Sequence, residues 1–371
     1  MVYSRTIPNL FISAIFLISD LLPSYGKSNF EHPSQKHRTH QKISARNIGA
    51  GINLAISTST RNQTSNTKKY KLSLESAGSK FFDDWDFFSE ADPTHGMVNY
   101  QTADEAWKSG LVYVGPSSSN KNLITATMKV DNSTWLQDGQ NRNSIRLSSK
   151  KSFKYGLLVL DVVKMPFGCS TWPAFWTVGQ NWPTDGEIDI VEGVNMLTTN
   201  QMTLHTAPGC SIQNPMLQEA VGKVLSTNCD AHAASNTGCG VTDPSDCSYG
   251  QPFNKDGGGV FAMEWTPSGI SVWRFRRSQI PLDLRQGRTP EPSKWSVRPM
   301  AHWSDNACNS LKDQFGEHKI IFDITLCGDW AGSDGVYNAN GQCQGTCASS
   351  VKNPTNFNDA FWEVASVRLY Q

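Results

Sequence analysis

Ile320-Ile321-Phe322-Asp323-Ile324-Thr325-Leu326 sets Ile320, Phe322, Ile324 and Leu326 at every second position. That is the period of a strand with one face on a core. Leu157-Leu158-Val159-Leu160-Asp161-Val162-Val163 is apolar on both faces, as a strand between two packed layers must be. Val260 to Trp265, the turn Thr266-Pro267-Ser268-Gly269, and Ile270 to Trp273 read as a hairpin, and Phe361 to Tyr370 as a closing strand. Only 216–225 and 311–319 carry a helical pattern, and both are short. Many short strands with Gly- and Pro-rich turns, and no repeat, predict an all-β sandwich or jelly roll built as one domain.

Composition narrows the function classes. The 371 residues hold 33 Lys+Arg against 33 Asp+Glu, a formal net charge of zero, and only 18% are charged. A neutral chain lacks the electrostatic footprint for nucleic acid or an anionic membrane. A mean hydropathy of −0.42 excludes a polytopic membrane protein. All 12 Trp lie between Trp85 and Trp362 and all nine Cys between Cys169 and Cys347, so the folded unit is expected to begin near residue 70.

Ahead of it, residues 1–26 combine Arg5 with the apolar stretch Leu10–Leu22, the layout of a secretory signal peptide. A retained signal anchor is the competing reading. Residues 27–70 are polar, with little to bury, and are expected to be a disordered linker; His32, His37 and His40 within it read as solvated side chains, not as a metal site. The folded domain, 71–371, is expected to follow. A secreted, extracellular or cell-wall location lets the cysteines pair as disulfides, one of the nine being left over. Asn62-Gln63-Thr64 and Asn132-Ser133-Thr134 are sequons for N-glycosylation.

The chemistry concentrates in Asp185-Gly186-Glu187-Ile188-Asp189-Ile190-Val191-Glu192-Gly193. On a regular strand Glu187 and Asp189 share a face and Glu192, an odd number of residues further on, points away. A β-bulge at Ile190-Val191 would return Glu192 to that face. Three like charges on one face are unfavourable without a use. With the bulge, Glu187 and Glu192 lie roughly 13 Å apart along the strand. Two side chains leaning inward over Asp189 could narrow that to the ~5–5.5 Å carboxyl separation of a retaining glycosidase, a gap that strand geometry alone does not fix. Mutual repulsion raises one pKa toward that of a general acid. Trp172-Pro173-Ala174-Phe175-Trp176 and Trp182 flank the triplet. Indoles beside paired carboxylates suit the apolar C–H faces of sugar rings.

The segment resembles the bulged active-site strand, E-[ILV]-D-x-x-E, of glycoside hydrolase family 16, and most resembles its fungal laminarinase-like endo-1,3(4)-β-glucanases. The resemblance extends through Asp92 to Tyr100, Ser144 to Leu147, Gly168 to Trp176, Leu204 to Cys210, Gly257 to Trp265 and Cys327 to Gly332. It implies a concanavalin-like β-jelly-roll sandwich with a substrate cleft on the concave sheet. It implies Glu187 as nucleophile, Glu192 as acid/base and Asp189 as the assisting carboxylate, with Trp176, Trp182, His205, Asn99 and Arg146 lining glucose subsites. For His205 a purely structural hydrogen bond weighs equally, and Arg146 is open to a role bracing the sheet. Cys247, in Ser245-Asp246-Cys247-Ser248, departs from the family pattern and is the candidate odd thiol.

The expected protein is a secreted, monomeric, retaining endo-β-glucanase acting on β-1,3 or mixed β-1,3/1,4-glucans. It is expected to need no cofactor or metal, to bind no nucleic acid, and to leave the membrane on signal cleavage. A β-glucan transglycosylase and a catalytically silent β-glucan-binding protein are the alternatives; the presence of all three carboxylates weighs against the latter.

Overall fold

Alternation along the strands builds two facing antiparallel sheets in the computed structural model, which describes residues 69–212, 219–308, 310–339 and 341–371. The expected signal peptide and all but the last two residues of the expected linker lie outside them. Tyr70, at the end of that linker span, is already buried, and its hydroxyl donates to Glu264 Oε1 at 2.8 Å.

The back sheet runs Ala301–Ser304, Gly269–Arg276, Gly259–Thr266, Gly156–Lys164, Phe361–Tyr370, Ile124–Lys129 and Val112–Pro116, with Leu72–Ala77 also pairing Phe361–Tyr370. The cleft sheet runs Lys223–Val224, Cys239–Thr242, Gln201–His205, Glu187–Glu192, Thr171–Gly179, His318–Leu326, Arg146–Phe153 and Trp85–Phe87. This is the jelly-roll sandwich expected from the strand pattern.

Ile320, Phe322, Ile324 and Leu326 all face the interior at 0–1% exposure. Phe322 meets Phe175 within its own sheet at 4.6 Å and crosses the sandwich to Trp362 at 5.4 Å between ring centroids. Each such aromatic removes about 150–250 Å² from water, worth about 4–6 kcal/mol at ~25 cal/mol per Å². Truncating Phe322 to Ala would cost about 3–5 kcal/mol.

The two-faced strand is explained by a second core. Leu158, Leu160 and Val162 join the main core, whereas Leu157 and Val159 pack outward with Trp273, Phe275, Ile280 and Leu284.

The helical expectations are corrected. Lys223–Val224 is an edge strand paired with Cys239–Thr242, and 213–218 lies outside the described residues. A side chain at Gly222 would sit 2.4 Å from Met300 O and from Val241 Cγ1, a backbone approach set by sheet pairing that helical periodicity cannot foresee. At 311–319 a 3₁₀ turn, Leu311–Asp313, delivers buried Phe315 to the core before the strand begins at His318.

Disulfides join Cys169–Cys343, Cys210–Cys308, Cys229–Cys239 and Cys327–Cys347. Cys247 is the free thiol, as expected. Among the described residues no helix is long and apolar enough to cross a membrane.

Candidate active site

The position of the carboxylates follows from one irregularity. Against Thr171–Gly179, Glu187 pairs with Val178 and Asp189 with Trp176; the register then skips Ile190 and resumes with Val191 opposite Phe175 and Glu192 opposite Ala174. Ile190 and Val191 both turn into the core at 1% and 0% exposure. Two consecutive inward residues restore the phase, so Glu187, Asp189 and Glu192 share the cleft face with Trp172, Ala174, Trp176 and Val178. The bulge expected at Ile190-Val191 is present.

A bulge leaves ladder groups unpaired, and buried ones need another partner. Asn200, 1% exposed, supplies it. The Glu192 N–H donates to Asn200 Oδ1 at 3.1 Å, Asn200 Nδ2 donates to Ile190 O at 2.9 Å, and the Asn200 N–H donates to Ser248 Oγ at 2.9 Å. The clamp grips the carbonyl of the extra residue and the N–H of Glu192 two residues on, and so fixes where Glu192 emerges. At Gly193, just beyond, a side chain would stand 2.7 Å from the Tyr249 ring.

Burial and mutual repulsion then set the protonation. Asp189 is 2% exposed, and its carboxyl is pushed well up, first by burial and then by Glu187 and Glu192. Glu192, 9% exposed, is raised to about 7. Burial is the main cause and Glu187 adds to it, while the Trp172 hydrogen bond and His205 pull the other way. Trp172 Nε1 donates to Glu192 Oε1 at 2.9 Å, and Trp182 Nε1 donates to Glu187 Oε2.

His205 Nε2 approaches Asp189 Oδ2 at 3.4 Å, and its Nδ1 lies 2.8 Å from Asn236 Oδ1. Burial alone would lower the His205 pKa, but Asp189, Glu187 and Glu192 outweigh it and raise it to about 10. The 3.4 Å contact leaves Asp189 Oδ2 without a well-directed hydrogen bond. One polar atom each of Glu187, Asp189 and His205 lie within 4.8 Å of one another, close enough to hold a cation. A metal there would have to displace the proton that the neighbouring carboxylates favour on His205.

The other expected residues separate. Trp176 lines the cleft, donates from Nε1 to Asp323 Oδ1 at 2.7 Å, and stacks beneath Arg146, whose guanidinium carbon is 5.1 Å from the indole and 4.6 Å from the Phe88 ring. Arg146 and Trp182 also line the cleft, the latter at 46% exposure. Asn99 does not. It is exposed on the small parallel pair Val98–Tyr100 with Arg142–Ser144, and its amide donates to Asn141 O at 3.3 Å.

Sequence reasoning missed Asn200, Asn236 and Asp323. Asp323 is 7% exposed and is raised to about 7 by burial, against the pull of Arg146 and Trp176. Alternation along Ile320–Leu326 placed Asp323 opposite the core face and so signalled it. Asn200 and Asn236 act through tertiary contacts that no local pattern marks.

The cleft encloses about 1180 Å³, with Trp172, Trp176, Trp182 and Trp330 among its walls. That is more than the roughly 300–1,000 Å³ of a small-molecule pocket. An acid titrating near neutrality, a second carboxylate beside it, and indole walls are the parts needed to protonate a glycosidic oxygen and displace it at the adjoining carbon. A jelly-roll sandwich carrying this site is, as a class, a glycoside hydrolase.

The family model described as "XgeA-like, catalytic GH16 domain" matches residues 85–370. A probable glycosidase of Schizosaccharomyces pombe is 46% identical over 314 residues, 84% of this chain and 71% of that one. An endo-1,3(4)-β-glucanase of Arthroderma benhamiae is 40% identical, across 78% of this chain and 62% of its own length. The chain spans about half the length of several Aspergillus relatives that it matches, such as a probable endo-1,3(4)-β-glucanase of Aspergillus fumigatus, 49% of which is covered. Laminarinase 16A of Phanerochaete chrysosporium, solved with 6-O-glucosyl-laminaritriose in donor and acceptor sites, superposes with a TM-score of 0.76 at 39% identity, covering 82% of this chain and 100% of that one. The chain belongs to glycoside hydrolase family 16.

Proposed function

We propose that this protein is a retaining endo-β-glucanase that hydrolyses β-1,3 or mixed β-1,3/1,4-glucans by double displacement. The observation that carries the reading is the bulged strand, which turns Glu187, Asp189 and Glu192 onto one face of an indole-walled cleft with Glu192 titrating near neutrality. The endo-1,3(4)-β-glucanase relatives and the glucan-bound laminarinase support the substrate class.

Glu187 attacks the anomeric carbon while protonated Glu192 delivers its proton to the departing oxygen. The C–O bond breaks and a glucosyl ester forms on Glu187. Glu192, now a carboxylate, takes a proton from water as the water oxygen attacks the same carbon, releasing Glu187. Asp189, held against imidazolium His205, orients Glu187. Trp176, Trp182 and Arg146 line the glucose subsites.

NMR of the first-formed reducing end tests the mechanism. A β anomer is expected, and an α anomer would rule out double displacement. Glu192→Gln is expected to lose most kcat/KM on the polymer while largely keeping kcat/KM on aryl β-glucosides with good leaving groups, since that ratio reports the first step alone. An equal loss of kcat/KM on both would remove Glu192 from the acid role.

One observation favours a second reading. An elongating β-1,3-glucosyltransferase of family 16 superposes with a TM-score of 0.72 at 36% identity, covering 81% of this chain. A sugar hydroxyl replacing water in the second step would give transglycosylation, and accumulation of products longer than the substrate would reveal it. We also propose that the protein is secreted and monomeric, its four disulfides fitting an oxidising compartment.

A further inference from the structure

Trp135 is the most exposed large hydrophobic side chain among the described residues, at 66%. Its loop is firmly built. Asp131 Oδ1 accepts from the Ser133 N–H at 2.8 Å, Ser133 Oγ at 2.7 Å and the Thr134 N–H at 3.3 Å. The Leu136 N–H donates to Lys352 O at 3.1 Å, and the Gln137 N–H to Gln140 Oε1 at 2.8 Å. The indole is therefore carried on a loop that is anchored on both sides of it.

From Gln137, two residues after Trp135, the same loop forms one wall of a groove of about 190 Å³, lined by Met97, Gln137, Asp138, Gln140, Ser349 and Lys352 among others. Asp138 and Lys352 pair at 2.5 Å, so the lining offers amides and a hydroxyl with little net charge. Two covalent paths tie this groove to the cleft. Asp92, Pro93 and Thr94 line the cleft three to five residues before Met97, and the Cys327–Cys347 disulfide joins the approach to Asp329 and Trp330 in the cleft to the short helix carrying Ser349.

We propose that Trp135 and this groove bind a segment of the same β-glucan chain outside the cleft. The inference rests on the β-glucan reading of the cleft. An indole for the C–H face of a glucose ring, with uncharged amides and a hydroxyl for its hydroxyls, repeats the chemistry of the cleft walls. One exposed indole and so small a groove fall far short of the ~800 Å² per partner that a stable protein interface buries. Such a site would tether long or insoluble chains and contribute nothing to oligosaccharides that end within the cleft.

The test compares Trp135→Ala with its parent, both in a Thr134→Ala background that removes the sequon acceptor beside the indole. On an insoluble linear β-1,3-glucan, Trp135→Ala is expected to lose about three- to tenfold in retention and hydrolysis, the size of one lost aromatic contact. Its kcat/KM on laminaritetraose should be unchanged. Unchanged retention on the polymer, or an equal loss on polymer and tetrasaccharide, would overturn the proposal. A parent that retains the polymer but hydrolyses no β-glucan would instead refute the proposed enzymatic function, and the retention comparison, which needs no turnover, would still decide the groove.

Discussion

Replacing Asn200 with Ala tests whether the bulge is held by its clamp. The substitution removes the acceptor for the Glu192 N–H and the donor to Ile190 O, both within a site where Asn200 is 1% exposed. Each buried backbone group left unpaired costs about 1–3 kcal/mol, so the expected loss is about 2–5 kcal/mol. At a few degrees per kcal/mol for a domain of this size, Tm should fall by about 5–15 °C. The effect on catalysis is separate. Glu192 leaves the strand from the clamped residue, and a displacement of about 1 Å can cost about 100-fold in rate. Activity measured well below the variant's Tm should therefore fall by one to two orders of magnitude, with Ser248→Ala, which removes the acceptor for the Asn200 N–H and the donor to Ser245 O but leaves both Asn200 side-chain bonds to the bulge, showing a milder form of both effects. Full kcat in Asn200→Ala alongside a lowered Tm would refute the reasoning, because the clamp would then hold the fold without placing the acid. An unchanged Tm would show that the bulge satisfies its own backbone groups.

Three further outcomes are expected. The proposed mechanism needs Glu192 protonated, and its carboxyl is raised to about 7, so kcat/KM should decline above about pH 7; Trp172→Phe removes a hydrogen bond that lowers this pKa, so the decline should move to higher pH, and movement to lower pH would contradict the assignment. Since burial raises the folded-state pKa of Glu192 from 4.5 to about 7, the stability tied to its protonated form is complete below the unfolded value and lost as pH rises through about 7. Glu192→Gln should thus exceed the parent by about 1–3 kcal/mol at pH 8 in calorimetry, with the gap closing near pH 4, and a gap independent of pH would count against the shift. A thiol reagent should label one cysteine per folded chain, with Cys247→Ser abolishing the label at unchanged Tm; persistent labelling would mean that one of the four disulfides is open.

Much of the fold was legible because strands announce themselves locally. Ile320–Leu326 alternates because one face meets the core and the other the cleft, and Leu157–Val163 is apolar throughout because a second cluster packs behind it. The carboxylate triplet was legible for the same reason: its spacing breaks the period of two by one residue, and only a bulge reconciles three carboxylates with one face. What escaped lies in contacts between distant segments. Asn200 is one more polar residue until the fold brings its amide to Ile190 and Glu192, and Asn236 gains its role only when it reaches His205. Residues 216–225 showed helical periodicity, yet the free edge of the Cys239–Thr242 strand took Lys223–Val224 into the sheet, because pairing satisfies backbone groups that an isolated short helix leaves exposed. Asn99 was placed by resemblance alone, and the structure sets it outside the cleft.

The inward pair Ile190-Val191 has a consequence for how such a site can vary in descent. Loss of either residue would leave Glu-x-Asp-x-Glu, a strictly alternating strand whose three carboxylates still share one face, with Asn200 no longer required as a clamp. Insertions and deletions within a core strand ordinarily turn every later side chain to the wrong side. Here a single-codon deletion would exchange one arrangement of the triplet for another that still sets all three carboxylates on one face.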